Sequence, residues 1–324
     1  MIQDKISNYN VKTSKIMRKL TYRFLSKILH TNIKDLKKYI FKKNIDEIKF
    51  RYPNINEKRK IIEKVVNKIN LDNQIINAKY RKKIWFDGWN ENKIKYLRTK
   101  NEKYLIPKYN TARNDKVFRL NGKFIISNKK FEIKFINILR NWYVQKYMKK
   151  TQNIYEFGCG TGLNLIAFNK IFSNKNYYGL DFIKPSVDII NSFKNNIGSN
   201  FNGYLFNIEK PKMNFKIKED SAVLTSGALE QLGGKIENFI NYLIKQKPSI
   251  VLHVEPAPDF YNLNTIEGKL GFIFHKKRGY TSNLLSILKL KEKNKKINIL
   301  NYFKSPFGSL MMEGYNIIVW RPKR

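Results

Sequence analysis

Residues 153–168 read NIYEFGCGTGLNLIAF. Three glycines, Gly158, Gly160 and Gly162, alternate with Cys159 and Thr161 between two apolar runs. A short apolar run closed by glycines reads as a buried strand entering a turn, with a helix starting near Leu163. Glycine is the residue that admits positive φ and lets another group approach the backbone closely, so alternating glycines mark a loop pressed against something. The dinucleotide fingerprint wants glycine at the first, third and sixth positions, whereas the sixth here is Leu163. A phosphate-cradling loop wants Gly-Lys-Ser/Thr at its end, and that is absent.

Outward from this loop, strand-like runs recur at NIYEF (153–157), NYYGLDF (176–182), GYLFNI (203–208), SAVLTS (221–226), SIVLHVEP (249–256), INILNYF (297–303) and YNIIVWRP (315–322). Segments long enough for helices separate the first five, which implies parallel pairing, because parallel neighbours cannot be joined by a tight turn. Only KSPFGSLMMEG (304–314) separates the last two, too short for a crossover, so the final strand is expected to run antiparallel beside its predecessor. The fold class predicted is α/β, a mostly parallel seven-stranded sheet with an antiparallel last strand, preceded by an α-helical N-terminal region. In that region Met17, Leu20, Phe24 and Ile28 recur at helical spacing and EKRKIIEKVVNKI (57–69) repeats the pattern. Residues 85–124, aromatic, charged and turn-rich, show no sustained period and read as connecting structure with surface roles. FEIKFINILRNWYVQKYM (131–148) returns to helical spacing and opens the second domain. The expected division is 1–128, a helical region for lid, substrate, membrane or partner contact, and 129–324, a ligand-binding α/β domain.

In an open parallel sheet, ligands bind at the carboxyl ends of the strands near the point where strand order reverses, and the GCGTG loop falls there. EFGCGTG, led by Glu156, has the form acid-x-Gly-x-Gly-x-Gly and in this resembles the class I, Rossmann-like S-adenosylmethionine-dependent methyltransferases. The resemblance covers about residues 130–324 and implies S-adenosyl-L-methionine as cofactor. In that family the loop passes under the methionine part of the cofactor, which implies a cofactor-binding role for Glu156, Gly158, Cys159, Gly160, Thr161 and Gly162. A second acid, ending the next strand, takes the ribose hydroxyls. Asp181 in YYGLDF stands there, 19 residues beyond Gly162, with Phe182 after it. Asn207 and Ile208 fit the places near the adenine amino group and face, though many members carry Asp where Asn207 stands. Thr225 and Ser226 fall at the tip of the fourth strand, beside the cofactor. VLTSGALEQLGG resembles the family's Leu-Glu-His segment, with Gln231 replacing the histidine.

The chain has 324 residues, 42% hydrophobic and 14% aromatic, enough for one substantial core and a smaller unit. Lys+Arg 64 against Asp+Glu 25 gives a formal charge of +39, which points towards nucleic acid or an anionic membrane surface. Lysine, asparagine and isoleucine are abundant throughout, as AT-rich codon usage imposes, and the lysines form no block. No acid occurs between Asp4 and Asp35, so the segment around residues 13–30 is a basic amphipathic candidate for peripheral membrane contact, or else its stripe packs inward. The single Cys159 excludes an internal disulfide and a cysteine zinc cage, and three dispersed histidines do not form a metal cluster. No apolar run approaches a bilayer span and the N-terminus lacks a secretory signal's apolar core, so a cytoplasmic protein is expected.

Methyl transfer from a sulfonium disperses positive charge, and Glu156, Asp181, Glu230 and Glu255 all fall at or near strand ends. A hydroxyl acceptor also needs a base within hydrogen-bond reach, for which His253 and Glu255 in LHVEPAP and His275 in FIFHKKRGY are the catalytic candidates. Both nucleobase-methylase signatures, Asn/Asp-Pro-Pro-aromatic and Pro-Cys after the fourth strand, are missing. The expectation is therefore O-methylation of a small polar acceptor such as a sugar or polyol, with Arg113, Arg119 and Arg278 as lid contributors. The alternatives are an RNA methyltransferase using the basic N-terminal region and an inactive cofactor-binding scaffold.

Overall fold

The computed structural model describes residues 16–74, 78–107, 116–128, 130–198, 200–303 and 307–323. From residue 153 the strands are β5 (Asn153–Phe157), β6 (Asn176–Asp181), β7 (Phe201–Leu205), β8 (Ser221–Ser226), β9 (Ile250–Glu255), β10 (Ile297–Phe303) and β12 (Asn316–Pro322). They form a seven-stranded sheet in the order β10-β12-β9-β8-β5-β6-β7. Pairing is parallel from β7 through β9, and β12 inserts antiparallel between β9 and β10, as the short 304–314 connection requires. β7 begins and ends earlier than the run GYLFNI suggests. Beyond Leu205 only the Phe206 N–H still reaches the sheet, donating to the Asp181 carbonyl at 2.8 Å.

Strand alternation distributes apolar side chains to both faces of the sheet. Ile317 and Val319 of β12 enter one cluster, Ile318 and Trp320 the other. The first face is covered by the helices Phe131–Tyr147, Leu163–Asn169 and Lys184–Asn196, the second by Glu237–Gln246 and Leu284–Lys293. Trp142 and Trp320 are fully buried. A ring of that size removes roughly 200 Å² from water, an upper estimate of about 5 kcal/mol each.

The N-terminal region is only partly helical. Helices α1 (Tyr22–Ile28), α2 (Ile33–Tyr39), α3 (Lys42–Asp46), α4 (Ile55–Leu71) and α5 (Ala78–Thr99) share it with β1 (Arg18–Lys19), β2 (Lys49–Arg51), β3 (Val117–Leu120) and β4 (Lys123–Ser127). The four strands, with β11 (Phe307–Gly308), make a second sheet in the order β1-β2-β4-β3-β11. β3 and β4 turn at Asn121-Gly122, both at positive φ, the chemistry of a tight hairpin. β11 comes from the connection between β10 and β12, so this sheet crosses the 128/129 division. Residues 85–124, expected to be connecting structure, hold most of α5 and this hairpin. α4 starts from a capping box in which Asn54 accepts from the Glu57 N–H at 2.8 Å and Glu57 accepts from the Asn54 N–H at 2.9 Å.

The inward reading of residues 13–30 is the one the structure shows for the described part. Leu20, Leu25, Ile28 and Leu29 are buried in the main core, and only Ile16 and Met17 stand out as exposed large apolar residues. Residues 13–15 lie outside the described residues. No helix among the described residues is long and apolar enough to cross a membrane.

Candidate functional site

The three glycines turn the chain between β5 and the helix Leu163–Asn169, all at positive φ: +71 for Gly158, +53 for Gly160 and +73 for Gly162. Each is bare for a different neighbour. A Cβ on Gly158 would stand 2.4 Å from Cβ of Ala228, just past β8. One on Gly160 would stand 3.1 Å from the Trp89 ring of α5, and one on Gly162 2.2 Å from Cδ1 of Ile190 on the helix Lys184–Asn196. Thr161 fastens the loop from outside, its hydroxyl donating to the Leu105 carbonyl at 2.6 Å.

Asp181, ending β6, crosses the loop from the next strand. Its Oδ2 accepts from the Gly160 N–H at 2.9 Å and its Oδ1 from the Ile183 N–H at 3.0 Å. Burial pushes its pKa up to about 6 against those backbone donors. Glu156 is buried further from solvent, with Oε1 accepting from Asn164 at 2.6 Å and Oε2 without a hydrogen-bond partner. Burial lifts it to about 8, opposed by Asn164 and Arg140. Burial likewise raises the Cys159 thiol far above its ordinary value, which leaves no thiolate nucleophile there. Burial thus raises both carboxyls, Glu156 further than Asp181, which has the backbone donors.

A cleft of about 360 Å³ opens at the carboxyl ends of β5, β6 and β8, between strands that lie on opposite sides of β5 and so at the switch point of the sheet. Gly158, Gly160 and Asp181 form its floor, and Phe182, Phe206, Asn207, Ile208 and Glu209 one side. Gly227, Ala228, Gln231 and Leu232 form another side, and Lys82, Trp85 and Trp89 of α5 the roof. An apolar slot edged by an amide, beside bare backbone and a carboxylate, can hold a ring, a diol and an extended arm together.

Of the sequence-predicted cofactor residues, Gly158, Gly160, Asp181, Phe182, Asn207 and Ile208 line the cleft; Glu156, Cys159, Thr161, Gly162, Thr225 and Ser226 do not. Thr225 is fully buried, its Oγ1 2.8 Å from Nδ1 of His253.

None of the three base candidates reaches the cleft lining. His253 is 0% exposed, accepts at Nε2 from the Trp320 indole N–H at 2.9 Å, and is driven by burial to a pKa of about 3. Glu255 accepts from the N–H groups of Ala228 at 3.0 Å and Glu230 at 3.3 Å, so it shapes the cleft wall from behind; burial raises it to about 7. His275 donates from Nε2 to the Thr281 carbonyl at 2.8 Å, is fully buried, and is lowered by that burial. Strand alternation and helix packing turn these rings into the interior, where His253 is hydrogen-bonded at both nitrogens and His275 at Nε2 alone, its Nδ1 buried without a hydrogen-bond partner.

The arginines have other partners. Arg119 is buried, giving Nε to the Leu310 carbonyl at 3.1 Å and Nη1 to the Glu267 carbonyl at 2.6 Å, and it ties the small sheet to the helix Ile266–Lys277. Arg278 pairs with Asp72, and Arg113 lies outside the described residues. Sequence reasoning missed Trp85 and Trp89, whose spacing of four was a helical signal inside a stretch taken as irregular. Among the described residues no group of three or more His, Cys, Asp or Glu is arranged for a metal ion.

No protein-family model matches the chain, and no curated protein matches it in sequence. Similar solved structures include magnesium protoporphyrin IX methyltransferase from Synechocystis PCC 6803 with bound SAH, 12% identical with a TM-score of 0.44 over 60% of this chain and 85% of that one. The plantazolicin methyltransferase in complex with SAH is 12% identical with a TM-score of 0.42 over 82% and 99%. Geranyl diphosphate C-methyltransferase from Streptomyces coelicolor A3(2), in complex with Mg2+, geranyl diphosphate and S-adenosyl-L-homocysteine, is 10% identical with a TM-score of 0.41 over 60% and 84%. The sheet itself gives the fold class: Rossmann-like α/β, seven strands, mostly parallel, with the last strand antiparallel.

Proposed function

We propose that the chain is an S-adenosylmethionine-dependent methyltransferase acting on oxygen of a small polar acceptor such as a sugar or polyol. The observation that carries this reading is the cleft in which the bare backbone of Gly158 and Gly160 meets the Asp181 carboxylate one crossover later. When bound, the cofactor supplies a methyl group on a positively charged sulfur. Asp181 is suited to its ribose, since its acceptor-only carboxylate lines the cleft. Phe182, Phe206 and Ile208 offer apolar surface to the purine and Asn207 an amide at its edge. The α5 roof covers one side of the cleft, and with no predicted base in its lining, positioning carries the catalysis. The acceptor proton leaves to water at the open side.

The test incubates the protein with radiolabelled S-adenosylmethionine and a metabolite extract, with nuclease-treated and intact RNA in parallel. Label in the small-molecule fraction is expected. Label in RNA alone would replace the acceptor assignment with the reading that the +39 charge favours, and no transfer despite cofactor binding would make the chain an inactive scaffold.

A further inference from the structure

We infer that Trp85 and Trp89 form a charge-reading wall: they hold the sulfonium form of the cofactor more tightly than the neutral thioether left after transfer. Placement of a sulfonium in this cleft rests on the cofactor reading above. The two indoles lie one turn apart on α5, ring centroids 5.4 Å apart and planes 23° from parallel, and both line the cleft. Trp89 is 8% exposed and its ring lies 3.1 Å from where a Gly160 Cβ would stand. At Gly158 the corresponding point meets Cβ of Ala228 first, and Cδ1 of Ile208 stands 3.7 Å from it. The apolar side lined by Phe206 and Ile208 is therefore at the Gly158 end, and the aromatic wall stands at the Gly160 end, where the cofactor reading puts the sulfur-bearing arm.

An aromatic face attracts a cation within about 6 Å through its quadrupole, most strongly when the ring is an indole and the site is partly desolvated. Transfer forms a bond from the acceptor oxygen to the methyl carbon and breaks the bond from that carbon to sulfur, whose electron pair stays on sulfur. The acceptor proton goes to water, and sulfur loses its charge. The wall's attraction thus exists before transfer and vanishes after it, which eases product release and leaves the site open to the next charged cofactor. Asp181 acts in the same direction; Lys82, exposed on the rim, opposes it weakly through solvent.

Dissociation constants for S-adenosylmethionine and S-adenosylhomocysteine, measured calorimetrically on the full chain, test this with the wild type, Trp85→Leu, Trp89→Leu and Trp89→Phe. Loss of either indole to Leu should weaken the sulfonium ligand several-fold, within about 2- to 30-fold, and leave the thioether within about twofold. Trp89→Phe, the milder packing change, should fall between. Equal weakening of both ligands would make the indoles plain packing or a purine platform and overturn the inference, as would no change for either. A folded wild type that binds neither ligand would instead bring down the cofactor reading itself.

Discussion

Gly162 and Gly279 both sit at positive φ, yet only one has a neighbour in the way: a Cβ on Gly162 would stand 2.2 Å from Ile190 Cδ1, while nothing lies within 4 Å of that point on Gly279. Gly162→Ala should therefore cost about 2–4 kcal/mol, the left-handed penalty plus overpacking, and Gly279→Ala about 1 kcal/mol. Urea midpoints at constant m read the difference. Asp181 gives a second prediction, in pH. Its carboxyl is held near 6, so it is anionic above that value and neutral below it. Affinity for the cationic cofactor should weaken as pH falls through about 6, and Asp181→Asn should flatten that profile in a binding titration. Stability runs the other way. A carboxyl raised by burial favours the fold in its protonated form, so its contribution is full below about pH 4 and lost as pH rises through about 6. At this scale the motif residues Gly158, Gly160 and Asp181 were legible in the sequence because backbone bareness and one-crossover spacing leave a local trace. The fate of His253 was not, since strand alternation allows either face and the Trp320 and Thr225 partners on the two neighbouring strands decide it.

Among elements, α5 does the most to make the loop a cleft, and it was the least legible. WFDGWNENKIKYLRT mixes Gly88, asparagines and charges, so no broad apolar stripe announces a helix. The helix holds on a narrow face instead: Trp89 on Gly160, Lys93 3.4 Å from Asp188, and Tyr96 edge-on to Phe193 at 5.6 Å. Its exit is pinned where Thr161 bonds the Leu105 carbonyl. Thr161→Val keeps the shape and leaves that buried carbonyl unpaired, at about 1–3 kcal/mol, so thermal unfolding should begin a few degrees lower and cofactor affinity should drop. An unchanged melting curve would show that the tie does not hold the roof. The strands of the larger sheet were readable as short apolar runs at regular intervals. The two-residue β11 was too short to leave any pattern of its own.

For the molecule as a whole, the second sheet couples the two halves of the chain, because β11 from the C-terminal half completes a sheet begun at β1 and carries Phe307 onto Phe135 at 4.5 Å. The roof helix is joined to the cleft it covers by its own contacts, Trp89 on Gly160 and Tyr96 on Phe193. Sequence division at residue 128 followed a change of pattern along the chain, which cannot reveal a strand contributed from some 180 positions later. The charge of +39 is a property at this scale too. Transfer to a small acceptor should change less than about twofold between 50 and 200 mM salt, whereas any phosphate-driven retention of RNA should fall by orders of magnitude over the same range. The most direct measurement is the crystal structure of the protein soaked in S-adenosylhomocysteine. Density for the nucleoside should fill the cleft, with ribose oxygens in hydrogen-bond reach of Asp181 and the amino-acid arm running beside the Gly158–Gly160 backbone and the Trp85–Trp89 wall. An empty cleft at saturating ligand, or a nucleoside bound away from Asp181, would contradict the account.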